Sequence, residues 1–322
     1  MRRPSLSLSL SLLFPWFTAA LLAQDPATPP AAAPAAPASK AASELFHVRV
    51  IGASVSGGFR DGPMTGATET GESVTMQQLL KAWCGEHGKA TTHSPLSMMA
   101  MFTAPERIGE EQVKAVMKAK PDAVLAVDFP FWFAYGYMKG DDETKARREL
   151  LQKGLGMLGR LEMPVVIGDL PDMQGAARRM LSPEQIPNPE QLKLLNADLA
   201  KFVADHENVR LVPLAATVAV MKDQGVALPL QDGPLPTAPG TLLQGDRLHA
   251  NRLGMAFLGH TLQPTLQQLF PEKHPLRTQT WTFEQFVAAC GAEEDLKAAR
   301  AAAAKAGGKA ADGAPAPAGS GK

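Results

Sequence analysis

Between Phe46 and Phe270 the chain alternates short unbroken apolar runs with longer stretches in which apolar residues return every three or four positions. FHVRVIGA (Phe46–Ala53), DAVLAVDF (Asp122–Phe129), MPVVIGDL (Met163–Leu170) and NVRLVPL (Asn208–Leu214) read as buried strands. Helical periodicity fills the gaps. It runs through SVTMQQLLKAWCGEHG from Ser73, GEEQVKAVMKAK (Gly109–Lys120), DDETKARRELLQKGLGMLGRLE up to Glu162, and NPEQLKLLNADLAKFVADHE (Asn188–Glu207). A last helix, ANRLGMAFLGHTLQPTLQQLF, ends near Phe270 with Pro264 as the expected kink. TTHSPLSMMAM (Thr91–Met101) is ambiguous and has room for a further strand.

Strand and helix alternate in this way when a parallel sheet is covered on both faces by helices. Functional groups in such sheets gather beyond the carboxyl ends of the strands. Ser54, Asp128, and the pair Asp169 and Asp172 all follow strand ends of this kind.

The two ends of the chain are poor core material. Residues 1–23 carry Arg2 and Arg3, an apolar run, and small residues near Ala23, the layout of a cleaved secretory signal peptide. The alternative, an uncleaved membrane anchor, is disfavoured because the run is short, diluted by serine and broken by Pro15. Residues 24–43 are rich in alanine and proline and read as an extended linker; residues 293–322 form a tail of Ala, Lys and Gly that starts as helix around EEDLKAARAAAAKA. The remaining span, 44–292, suits one α/β domain, exported to the periplasm or secreted, with no stable membrane span once the leader is removed.

Lysine and arginine number 32, as do aspartate and glutamate, so no basic excess points to a nucleic-acid partner. Cys84 and Cys290, the only cysteines, leave a disulfide and two buried thiols open as alternatives. The histidines His47, His87, His93, His206, His260 and His274 lack ligand-pair spacing, and GASVSGG does not match a dinucleotide fingerprint, so neither a metal nor a cofactor is predicted. Nothing sets an oligomeric state.

Ser54 sits in VRVIGASVSGGFRDGP, where an apolar strand enters a turn of serine and glycine. A nucleophilic serine needs a base, a group that orients the base, and donors for the developing oxyanion. Asp246 and His249, separated by two residues in the loop before the last helix, have the spacing for a carboxylate to hold an imidazole while its far nitrogen stays free. The plain alternative is a helix start at which Asp246 or Asn251 caps backbone N–H groups.

Both stretches resemble one family. Gly52 to Gly58, GASVSGG, is similar to the first block of the SGNH (GDSL-type) hydrolases, and Asp246 to Gly254, DRLHANRLG, to their last block of Asp-x-x-His with an asparagine and a closing-helix glycine. The resemblance spans roughly Phe46 to Phe270 and implies a flavodoxin-like three-layer α/β/α sandwich. It also implies Ser54 as nucleophile, His249 as base and Asp246 as orienter.

The chain departs from that pattern in three places. Ala53 stands where the family has an aspartate before the serine. VLAVDFPFWFAYG (Val124–Gly136) lacks the family's oxyanion asparagine, and HSPLSMMAMFTAP lacks its oxyanion glycine. Replacement donors are then expected from the backbone around Phe129–Tyr135 or from side chains such as Ser94, and Ser54, Asp128, Trp132 and Asp169 are the candidates for the oxyanion and cleft. The aromatic stretch Phe129, Phe131, Trp132, Phe133, Tyr135 and Tyr137 fits either a wall over Ser54 or core packing. Asp169 and Asp172 fit either acid–base work or an ordinary turn.

The resulting expectation is an exported serine esterase, lipase or O-deacylase acting on a small-molecule or glycan ester. A catalytically impaired SGNH-like protein that binds carbohydrate or a protein partner is the alternative from another class, and an acyltransferase is the alternative among enzymes.

Overall fold

A computed structural model describes residues 45–60 and 74–312. The leader, the linker and the end of the tail lie outside the described residues.

Five parallel strands form the central sheet: β1 (Phe46–Val50), β2 (Gly88–Thr92), β3 (Ala123–Ala126), β4 (Val165–Gly168) and β5 (Val209–Val212), in the order β2-β1-β3-β4-β5. The register sets Val48 beside Ala90 and Ala123, Ala126 beside Ile167, and Ile167 beside Leu211. This is the flavodoxin-like order, with its switch point between β1 and β3, where the chain turns first to one side and then to the other.

Four strands fall within the apolar runs that predicted them. β2 does not. It occupies Gly88–Thr92 rather than the stretch after Thr91, because Ser94 and Pro95 open a helix there. Its exposed Lys89 suits an edge strand, which is why it lacks the apolar signature of the others.

Successive residues of the central strands face opposite cores, as the strand period of two requires. Leu125 and Val166 join one cluster with Leu79, Leu258 and Phe286; Val124, Ala126, Val165 and Ile167 join the other with Ile108, Leu151 and Leu199. The first face is covered by α2 (Met76–Cys84), α9 (Arg252–Gln267) and α10 (Phe283–Ala289). The second is covered by α4 (Pro105–Ala119), α6 (Glu143–Leu158) and α7 (Pro189–Asp205). Helix starts are fixed locally: Thr75 with Gln78 and Asn188 with Gln191 form capping boxes, and Asp142 caps α6. Short helices α1 (Ser54–Gly57), α3 (Pro95–Met99), α5 (Phe131–Ala134) and α8 (Leu214–Ala219) lie at the carboxyl ends of strands, and α9 continues through Pro264.

Packing continues past residue 292, where sequence composition suggested that the domain ends. Helix α11 (Glu293–Asp312) sets Leu296 and Ala299 against the first core, while Arg252 bonds Asp295 and Arg300 bonds Asp232 through both terminal guanidinium nitrogens. Cys84 and Cys290 are both free and buried, and burial pushes each thiol up to about 12. No helix among the described residues is long and apolar enough to cross a membrane.

Candidate active site

Ser54 is the first residue of α1, directly beyond the end of β1. The turn into it is held by polar side chains from neighbouring elements. Gln112, buried on α4, accepts the Gly52 N–H at 2.8 Å and donates to the Gly52 carbonyl at 3.0 Å. From the end of β3, the buried Asp128 accepts the N–H groups of Val55 (2.9 Å) and Ser56 (3.1 Å) and the Ser56 hydroxyl (2.5 Å). Glycine is required at position 52, because a Cβ there would stand 2.1 Å from Asp128 Oδ1 and 2.8 Å from Ser56 Oγ.

From the far end of the chain, His249 Nε2 comes within 2.7 Å of Ser54 Oγ, and His249 Nδ1 within 2.5 Å of Asp246 Oδ2. Asp246 Oδ1 accepts the N–H groups of Leu248 (2.9 Å) and His249 (3.0 Å), so both carboxylate oxygens are engaged. Burial works to raise the Asp246 carboxyl, but the hydrogen bonds and charge of His249 and the two N–H groups outweigh it and hold the carboxyl below its usual range. Asn251 caps α9 through the Gly254 N–H at 2.9 Å, so the capping role and the imidazole partner belong to different residues. The Phe59 ring stacks on His249 with centroids 4.2 Å apart, and Gln244 Nε2 bonds the carbonyls of both Phe59 and Ala250 at 2.8 Å, tying the two loops together.

Two recesses meet at Ser54. One is a small apolar cavity of about 50 Å³ lined by Ser54 and by Met173, Val218, Met221 and Leu243 among others. The other is a larger open cleft of about 270 Å³ bordered by Phe59, Phe102, Trp132, Met180 and His249. Leu248 and Ser54 belong to both, whereas His249 borders the open cleft alone.

The remaining predicted residues divide. Trp132 reaches the open cleft and Phe131 the small apolar cavity; Phe129, Phe133 and Tyr135 are core, and Tyr137 is exposed. The aromatic stretch is therefore part wall and part core. Asp128 has its carboxylate committed to the Ser54 turn, where it accepts bonds and donates none, so it is no oxyanion donor. Asp169 borders neither recess. It accepts the Ala215 N–H at 2.6 Å at the start of α8, and burial pushes its carboxyl up against that bond. Asp172 instead accepts the Gln174 N–H and meets Lys222, so the two aspartates do not act together. Ser94 caps α3 by accepting the Ser97 N–H.

Gln112, Ser56, Gln244 and Phe59 were not singled out from the sequence. Gln112 alone carried a signal: it interrupts the apolar face of α4 between Ile108 and Val116 with a buried polar group. Among the described residues no three His, Cys, Asp or Glu side chains group as metal ligands would.

Neither a family model nor a curated sequence matches the chain. Among solved structures it is similar to the psychrotrophic esterase EstA from Pseudoalteromonas sp., in a structure inhibited by monoethylphosphonate, with TM-score 0.39 and 10% identity over 69% of this chain and 97% of that one. So loose a likeness carries no argument about the site.

Proposed function

We propose that this protein is an exported serine hydrolase that cleaves ester bonds through Ser54, His249 and Asp246. The observation that carries the reading is the unbroken relay from Ser54 Oγ through the His249 ring to a buried carboxylate. Ser54 Oγ attacks the ester carbonyl carbon as its proton passes to His249 Nε2, and Asp246 holds the ring and balances the imidazolium. The proton then goes to the departing alcohol oxygen, leaving an acyl group on Ser54. Water entering from the open cleft loses a proton to His249, attacks the acyl carbon, and releases the acid, while Ser54 regains its hydrogen.

Among the described residues the Ser54 N–H has no protein acceptor, which suits it to bond an oxyanion. Export is supported by the leader-like residues 1–23. The test is a fluorophosphonate probe applied to the native protein and to Ser54→Ala. Labelling that disappears in the variant supports the reading; a native protein that stays unlabelled overturns it.

A further inference from the structure

The two recesses at Ser54 differ in a way that assigns the two halves of an ester, and we infer from it that the protein acts on esters of short acyl groups, of about two to four carbons. This rests on the serine-hydrolase reading above.

The argument begins with the order of departures. In a two-step acyl transfer the alcohol leaves first and water then enters, so the alcohol side needs an exit, whereas the acyl group stays bonded to Ser54. His249 must protonate the departing oxygen, and it borders only the open cleft. The alcohol therefore lies in that cleft, among Phe59, Phe102 and Trp132, and the acyl group in the smaller apolar cavity.

That cavity has the right chemistry for a hydrocarbon end. Met173, Leu214, Val218, Met221, Leu243 and Leu258 line it, and apart from the Ser54 turn and Asp128 it presents only apolar side chains and Pro171. Its volume of about 50 Å³ sets the length. At roughly 10–15 Å³ for each water-sized group, three or four heavy atoms fit and a long chain does not. Its floor is core packing: Leu214, Met221, Leu243 and Leu258 are all at most 8% exposed, so the cavity does not deepen without moving the core.

The experiment is a series of p-nitrophenyl esters from acetate to decanoate on the native protein, on Met221→Ala, which enlarges the cavity, and on Val218→Phe, which fills it. Fluorophosphonate labelling of Ser54 is measured on each protein. Expected is a kcat/KM that peaks between acetate and butyrate and falls about tenfold or more by octanoate. Met221→Ala moves the peak to longer chains, and Val218→Phe moves it towards acetate. A Ser54 that labels normally while octanoate or decanoate is the best substrate overturns the short-acyl assignment and leaves the hydrolase reading standing. An unlabelled native protein overturns both. Should one variant misfold, the native chain-length profile and the other variant still decide.

Discussion

Asp128 takes the Ser56 hydroxyl at 2.5 Å on one carboxylate oxygen and the N–H groups of Val55 and Ser56 on the other, across 72 and 73 residues of sequence. The strand order brings them together, since β1 and β3 are hydrogen-bonded neighbours and both the serine turn and Asp128 follow their carboxyl ends. The brace acts on the segment that starts with Ser54, so the position of Ser54 depends on a carboxylate that does not touch it.

Replacing this carboxylate therefore separates shape from charge. In Asp128→Asn the amide oxygen can serve both N–H groups and the amide nitrogen can donate to Ser56 Oγ, so all three contacts remain, with the Ser56 hydroxyl turned from donor to acceptor. Asp128→Ala strands buried donors at a cost of about 1–3 kcal/mol. The expected outcome in urea unfolding and fluorophosphonate labelling is near-native behaviour for the asparagine variant, with lower stability and slower labelling for alanine. Equal loss in both variants would show that the negative charge itself matters.

Gly52→Ala is expected to slow labelling of Ser54 severely, because the added methyl would meet Asp128 Oδ1 at 2.1 Å and break the same brace. Gly156→Ala, within α6 where a Cβ meets nothing within 4 Å, is expected to stabilise by about 0.5–1 kcal/mol without affecting labelling. Comparing the two by thermal unfolding and labelling rate isolates the close approach from the general effect of adding a methyl group.

Two aspartates predict opposite trends with pH. Asp246 has a folded-state pKa below its unfolded value, so its stabilisation is full above the ordinary aspartate value of about 3.9 and is lost as pH falls through the lower folded value. Asp169 is raised in the folded state, so its ionisation weakens the fold as pH rises through its shifted value. Asp169→Asn, which keeps an oxygen for the Ala215 N–H, is expected to raise the urea midpoint at neutral pH, with the gain vanishing in acid. Asp246→Asn is expected to lower the midpoint at neutral pH, with that deficit shrinking in acid, and to cut turnover by up to about 10⁴-fold by disturbing the tautomer of His249. Midpoints followed from neutral pH down to about 3 check both signs.

Much of this architecture was legible in the chain because β1, β3, β4 and β5 are apolar runs whose residues alternate between two cores. β2 was hidden by its composition: a glycine, an exposed lysine and two threonines at a sheet edge carry no apolar run. Ser54, His249 and Asp246 were legible because a serine in a turn after a strand and an Asp-x-x-His before a helix are local patterns. The supporting contacts were not. Gln112 on Gly52, Phe59 on His249 and Gln244 on Phe59 depend on which loops the sheet order sets side by side, and no local spacing encodes that. Composition also misplaced the end of the packed region, since an alanine-rich helix can dock with few large side chains, as α11 does through Leu296, Ala299 and Arg300.

Trp132 offers a last separation, between packing and polarity at the open cleft. Its indole nitrogen is buried and has no acceptor among the described residues, while the ring borders the cleft and sits 5.8 Å from the Phe102 ring. A stranded buried donor costs about 1–3 kcal/mol. Trp132→Phe removes that cost along with some apolar contact, so the two effects offset and stability is expected to change by less than about 1 kcal/mol. Trp132→Ala is expected to lose about 3–5 kcal/mol, the range for truncating a buried aromatic. On the proposed assignment the phenylalanine variant also removes part of the aromatic wall that a bulky alcohol packs on, raising KM for esters of bulky alcohols while leaving the acyl-length profile in place. Urea unfolding of both variants and kinetics on a bulky and a small alcohol ester check the two halves. A phenylalanine variant as unstable as the alanine one would mean that the indole nitrogen has an acceptor in solution, such as a bound water.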